Sequence, residues 1–141
     1  MIYGNAYSIN LLEGAVRAAW LLQDSPWQLS AASLENIALG LAVLRTYSVG
    51  GKVARALGGR LVELDNNVFN PTLFCSFVQA SILAARGIFR KRWHEIFKAV
   101  VFQMDRSHHD GFEQGVKEAD PGCINLWYHF KETYSSPDVR K

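Results

Sequence analysis

Cysteine is scarce in this chain: 141 residues contain two, Cys75 and Cys123, far apart and each in apolar surroundings. That excludes a disulfide-dense scaffold and a zinc ribbon, whose ligands come in closely spaced pairs. The expectation is two reduced core residues in a cytosolic protein. Proline is rare too, with four in the sequence, so Pro-rich linkers are excluded and each proline marks a boundary. Long apolar runs are missing. The most apolar stretch, residues 73–89, contains Gln79 and Arg86 and falls short of the roughly 20 residues that span a bilayer.

A strong excess of one charge is missing as well: 15 Lys and Arg stand against 13 Asp and Glu, for a net charge of +2. A uniformly basic nucleic-acid coat of the histone kind is excluded, and any basic function must come from local arrangement. The opening "MIYGNAYSINLLEG" has no basic segment ahead of its first apolar residues, which reads against a secretory signal. A cytoplasmic protein without a membrane segment and without a cofactor is expected.

What is present is helical punctuation. Nearly half of the residues are apolar, enough for one core and not for two. They recur at three- and four-residue steps between breaks at Pro, Gly, Asn and Asp. The expected fold is all-α, a compact single-domain bundle of about five helices over residues 1–134. Room remains for one small irregular or hairpin segment near 60–69, and residues 135–141 form a frayed tail.

A first helix is expected over 9–23, with Asn10 and Glu13 spaced as a capping box and Asp24-Ser25-Pro26 ending it. Ser30 caps a second, through Tyr47. The paired glycines Gly50-Gly51 and Gly58-Gly59 frame a short helix, "KVARAL". Asn70-Pro71 is a clear start, since Asn accepts from a free amide and Pro fills the first helical position; that helix runs toward Met104, with Gly87 as a bend or a break. "DRSHHDG" opens a weakly amphipathic helix, and Asp120-Pro121 starts the last one, to about Tyr134. Small residues four apart (Gly14 and Ala18, Ala15 and Ala19, Ala38 and Ala42, Ala80 and Ala84) suit close helix packing.

The segment "RGIFRKRWHEIFK" carries the main functional signal. On a continuous helix Phe89, Trp93, Ile96, Phe97, Val100, Val101 and Met104 share a buried face. Arg86, Arg90, His94 and Lys98 then form a line four residues apart, flanked by Lys91 and Arg92, with Glu95 as the nearby counter-charge. Like charges at that spacing cost a few tenths of a kcal/mol per pair. Such a row suits a polyanion such as nucleic acid, which arginine binds bidentately, or an acidic protein surface. It also suits plain solvation with acids from other helices. Phe89, Trp93 and Phe97 have the look of base-stacking platforms, but their spacing fits the buried face better.

Catalytic patterns are weaker. In "DRSHHDGFEQ" a helix places Asp105, His109 and Glu113 one turn apart, a spacing that suits a divalent metal; Ser107 with Asp110 is equally a helix start. The adjacent His-Asp pair resembles HD-type phosphohydrolases, yet their separate histidine and later aspartate have no counterpart here. "RKRWH" resembles the Arg and His of HEPN-type ribonucleases, but Arg90 and His94, or Arg86 and His94, do not keep that spacing. "VGGKVA" lacks the earlier glycine and the following Ser or Thr of a Walker A turn. Cys75 sits in an apolar run that quiets a thiol. "KVARAL" resembles a piece of the helical coat proteins of archaeal rod-shaped viruses, which wrap DNA. The likeness covers six residues and transfers no site.

The expectation is therefore a non-enzymatic binding and assembly protein. It uses Arg86, Arg90, Lys91, Arg92, His94 and Lys98 toward an anionic partner, nucleic acid or an acidic protein. Self-association falls to a separate aromatic surface; Cys123, Trp127, Phe130 and Tyr134 lie along one side of the last helix and offer one, though a core role fits them better. The alternatives are an inhibitor or immunity-type protein, and a small nuclease or metal-dependent hydrolase using His94 or residues 108–113.

Overall fold

The computed structural model describes residues 7–46, 48–49, 52–53, 71–107 and 112–134. Its order is α1 (Tyr7–Leu22), α2 (Ala31–Thr46), β1 (Ser48–Val49), β2 (Lys52–Val53), α3 (Pro71–Ala85), α4 (Arg92–Ser107), α5 (Phe112–Ala119) and α6 (Pro121–Tyr134). The fold is all-α, with six helices among the described residues. The one sheet described is an antiparallel pair, Ser48 opposite Val53 and Val49 opposite Lys52.

Helix α3 is the centre. Every residue from Leu73 to Ala84 is buried except the half-buried Ile82, as a helix apolar all round must be. α1, α4, α5 and α6 all pack on it. Phe74 meets the edge of Trp127 at 5.0 Å, and Phe77 meets Phe97 at 5.9 Å. The face expected on the fourth helix is buried, with Trp93 and Phe97 stacked at 5.7 Å and Ile96 half-buried. Cys123, Trp127 and Phe130 are buried too, the core role that their spacing favours over a self-association surface: Trp127 and Phe130 complete the core over α3. The apolar side chains that do face solvent are others, among them Leu11, Leu21 and Trp27.

The caps explain where the helices stop. Ser30 Oγ accepts from the Ser33 amide at 3.2 Å, a working N-cap. Asp120 Oδ1 accepts from the Gly122 amide at 3.1 Å ahead of Pro121. Asn10 and Glu13 form no capping box, because α1 starts at Tyr7 and places both inside the helix. Gly87 breaks the chain rather than bending it. At φ 82° it closes α3 in a Schellman motif, with Ile88 N donating to Leu83 O at 2.9 Å and Gly87 N to Ala84 O at 3.1 Å.

Two expectations need correction, and three fall outside what is described. Lys52 and Val53 are a strand, not the start of a helix: they pair antiparallel with Val49 and Ser48. The hairpin expected near 60–69, the Asn70 cap and the tail 135–141 lie outside the described residues. The cysteines are not reduced: Cys75 and Cys123 form a buried disulfide between α3 and α6, with Cα atoms 5.7 Å apart. Their separation of 48 residues concealed a contact that packing α6 on α3 creates. Closing such a loop stabilises the fold by about 4 kcal/mol in the chain-entropy account.

Two glycines differ in what they do. A Cβ on Gly40 would lie 2.7 Å from Leu12 Cδ2, a side-chain end that must shift to admit it, while a Cβ on Gly14 would meet nothing within 4 Å. Gly14→Ala is therefore expected to stabilise the protein by about 0.5–1 kcal/mol through helix propensity. Gly87→Ala should destabilise it by about 1 kcal/mol, because an L-residue enters the left-handed region. Thermal melts read both, and equal shifts of one sign would contradict the assignment. For the disulfide, thiol titration of the denatured protein should find no free thiol before reduction and two after. Reduction should lower Tm by about 10 °C; an unchanged Tm would show that the bridge contributes nothing.

Candidate anion-binding corner

The row of basic residues is not one helix face. Gly87 ends α3 before it, and α4 begins at Arg92, so Arg86, Arg90 and Lys91 belong to the connection. Folding gathers them with Arg92 into a corner where α3 hands over to α4, and sends His94 and Lys98 elsewhere.

Acids from other elements meet the arginines. Arg86 donates to Gln23 Oε1 at 2.7 Å and pairs with Asp24 at 3.3 Å, where Asp24, at φ 59°, turns the chain beyond α1. Glu35, on the first turns of α2, is a hub. Its Oε2 lies 3.6 Å from Arg90 Nε and accepts from the indole N–H of Trp93 at 3.0 Å, while Oε1 pairs with Arg92. Arg92 also lies over the Trp93 ring, 4.9 Å from its centroid. Lys91 is exposed and makes no ion pair among the described residues.

The corner thus holds four cations against two carboxylates, an excess of two positive charges. The arginine side chains stay at least half exposed, at 50%, 67% and 56% for Arg86, Arg90 and Arg92. Each is paired with an acid and keeps further N–H donors to face outward, since a guanidinium carries five.

The other two members of the row are structural. His94 Nδ1 lies 3.0 Å from the Ser81 carbonyl oxygen and 3.3 Å from the Ser81 hydroxyl. Its ring packs on Tyr134 at 4.7 Å. Lys98 is held by Glu95 at 2.7 Å. The hydrogen bond from Lys98, with the charges of Lys98 and His94, holds the Glu95 carboxyl below its ordinary range. Trp93 and Phe97 are buried, so neither is a platform for bases.

Of the proposed metal ligands, His108, His109 and Asp110 lie outside the described residues, as does the side chain of Asp105. Glu113 is engaged by Tyr128 and by Lys117, and the Glu113 hydrogen bond raises the pKa of the Tyr128 hydroxyl. No group of three metal-ligating side chains occurs among the described residues. No described helix is long and apolar enough to cross a membrane. Comparison with protein-family models, with curated proteins and with solved structures finds no match in any of the three.

Glu35, Asp24 and Gln23 are the residues that sequence reasoning missed. Their only signal is position: Glu35 stands early in α2, where a helix favours a negative charge, but its partners lie more than fifty residues away. Trp93 makes the hub testable. Glu35→Ala strands a buried indole N–H and should cost about 2 kcal/mol, whereas Glu35→Gln keeps an acceptor for it and should cost under about 1 kcal/mol, because the exposed ion pairs contribute little. Denaturant titration separates the two; equal losses would remove Trp93 from the hub.

Proposed function

We propose that this chain is a non-enzymatic binding protein that presents the corner between α3 and α4 to an acidic patch on a partner protein. One observation supports it above the rest: Arg86, Arg90 and Arg92 are oriented by Asp24 and Glu35 yet remain more exposed than covered or nearly so, leaving an excess of positive charge on a compact surface. Preoriented guanidinium groups lose less freedom on meeting a carboxylate than free ones.

Shape favours a protein over nucleic acid. Tracking phosphates needs an extended row, and the break at Gly87 replaces that row with a cluster. The disulfide bears on location. Such bridges persist in oxidising compartments, or inside hyperthermophiles, rather than in a reducing cytosol. Assembly through this corner with a second class of chain replaces the expected self-association through α6.

Fluorescence anisotropy of a labelled poly-glutamate peptide, beside labelled single- and double-stranded DNA and RNA, at low and physiological salt, tests this function. The peptide should bind with a salt-dependent affinity. Arg90→Glu with Lys91→Glu should weaken it by at least about tenfold, and Glu35→Gln, which removes one negative charge, should strengthen it. Binding of nucleic acid alone would move the corner to phosphate recognition. Absence of any binding at low salt would overturn it as an anion site.

A further inference from the structure

The corner continues along α2. Glu35, which pairs with Arg90 and Arg92 and accepts from the Trp93 indole, is followed one turn on by Leu39 and a turn further by Val43. Residues four apart lie one above the other on a helix, so the three fall on one side of α2. Leu34, Ala38, Leu41 and Leu44 fill its buried side, and the helical step sets Leu39 and Val43 nearly opposite them.

A surface helix ordinarily keeps charged and polar residues opposite its core face. α2 departs from that. Leu39 and Val43 are 45% and 46% exposed, with Ala32, Asn36 and Thr46 exposed beside them. Arg45 is the one charged residue among those that α2 exposes, and the helical step sets it well to one side of Leu39 and Val43. Exposed apolar residues scattered singly need no explanation; these two form a row, and the row begins at the corner. At its start Arg90, Lys91 and Arg92 stand against the single carboxylate of Glu35. The surface therefore has two parts, cations at one end and an uncharged shelf at the other, with about 12 Å from Glu35 to Val43 at roughly 1.5 Å per residue.

We infer that this surface seats an acidic amphipathic helix of a partner protein, its first-turn carboxylates against Arg90, Lys91 and Arg92 and its apolar positions along Leu39 and Val43. The inference rests on the reading of the corner as a protein-binding site and names the kind of segment that the site takes. Charge complementarity sets which end goes where, and burial of the two aliphatic side chains adds affinity. An acidic first turn is also a stable one, because free amides make that end of a helix positive. A second copy of this chain fits less well. Packed in parallel through α2, corner would meet corner; packed antiparallel, the corner would meet the end that carries Arg45, and like charges oppose each other either way. A lipid surface fits less well too, since an interfacial helix spreads its cations along a whole polar face and here they gather at one end.

The test is fluorescence anisotropy on the full chain, disulfide intact, with labelled peptides. One is a helical peptide of about 14 residues with glutamates in its first turn and leucines one turn apart along the rest; the others are its scrambled counterpart of the same composition and poly-glutamate. The amphipathic peptide should bind at least about tenfold more tightly than the scrambled one. Leu39→Gln with Val43→Gln should remove that preference and leave poly-glutamate binding unchanged, whereas Arg90→Glu with Lys91→Glu should weaken all three. Equal affinity for the amphipathic and scrambled peptides would overturn the inference and leave the corner standing. Amphipathic binding indifferent to Arg90→Glu with Lys91→Glu, without poly-glutamate binding, would overturn both. Tighter binding to phosphatidylglycerol vesicles than to the peptide, or a dimer in sedimentation velocity that Leu39→Gln dissociates, would give the face to lipid or to a second copy and overturn the inference. The peptide comparison is read on the unaltered chain, so it decides even where a variant fails to fold.

Discussion

The structure depends on one constraint: α3 has no polar face and must be surrounded. From Leu73 to Ala84 its polar side chains are Ser76, Gln79 and Ser81, and these too are buried. At roughly 25 cal/mol per Å² of apolar surface removed from water, covering such a helix dominates every surface ion pair in the molecule. α1, α4, α5 and α6 are its cover, and the disulfide ties one of them to it. The proposed corner is a consequence of that arrangement. The corner is where the buried helix ends and the chain must turn in solvent.

Helices are legible in this sequence because their signals are local. Ser30, Pro71 and Asp120-Pro121 mark their starts with one side chain each, and the apolar positions of α4 from Trp93 to Met104 repeat at a step that only a helix turns into a face. Gly87 is legible as a boundary but not as a type of boundary. Bend and break differ in whether a glycine adopts positive φ, and periodicity does not encode that. The same limit makes "KVARAL" deceptive. Its composition favours a helix, while the strand at Lys52-Val53 is formed by pairing with Ser48 and Val49, a contact that outweighs local propensity.

The site is less legible, for a related reason. Sequence spacing assigns Arg86, Arg90, His94 and Lys98 to one face only on the premise of an unbroken helix. Once the helix breaks, the six basic residues divide by environment: four gather at the corner, and His94 and Lys98 are held against α3 and Glu95. Whether a cation is satisfied depends on residues far along the chain. Glu35 supplies Arg90, Arg92 and Trp93 together, and Asp24 supplies Arg86. No pattern within a window reveals such pairings. The disulfide is invisible for the same cause, since 48 residues separate two cysteines that helix packing brings together.

The primacy of α3 is measured most directly by native-state hydrogen exchange, resolved by residue. Amides of α3 between Phe77 and Ala84 should be the slowest in the molecule and exchange only through global unfolding, with those of α4 close behind and those of the short α5 faster. Exchange in α3 as fast as in α5, or an α1–α2 unit that outlasts α3, would contradict a fold built around one buried helix.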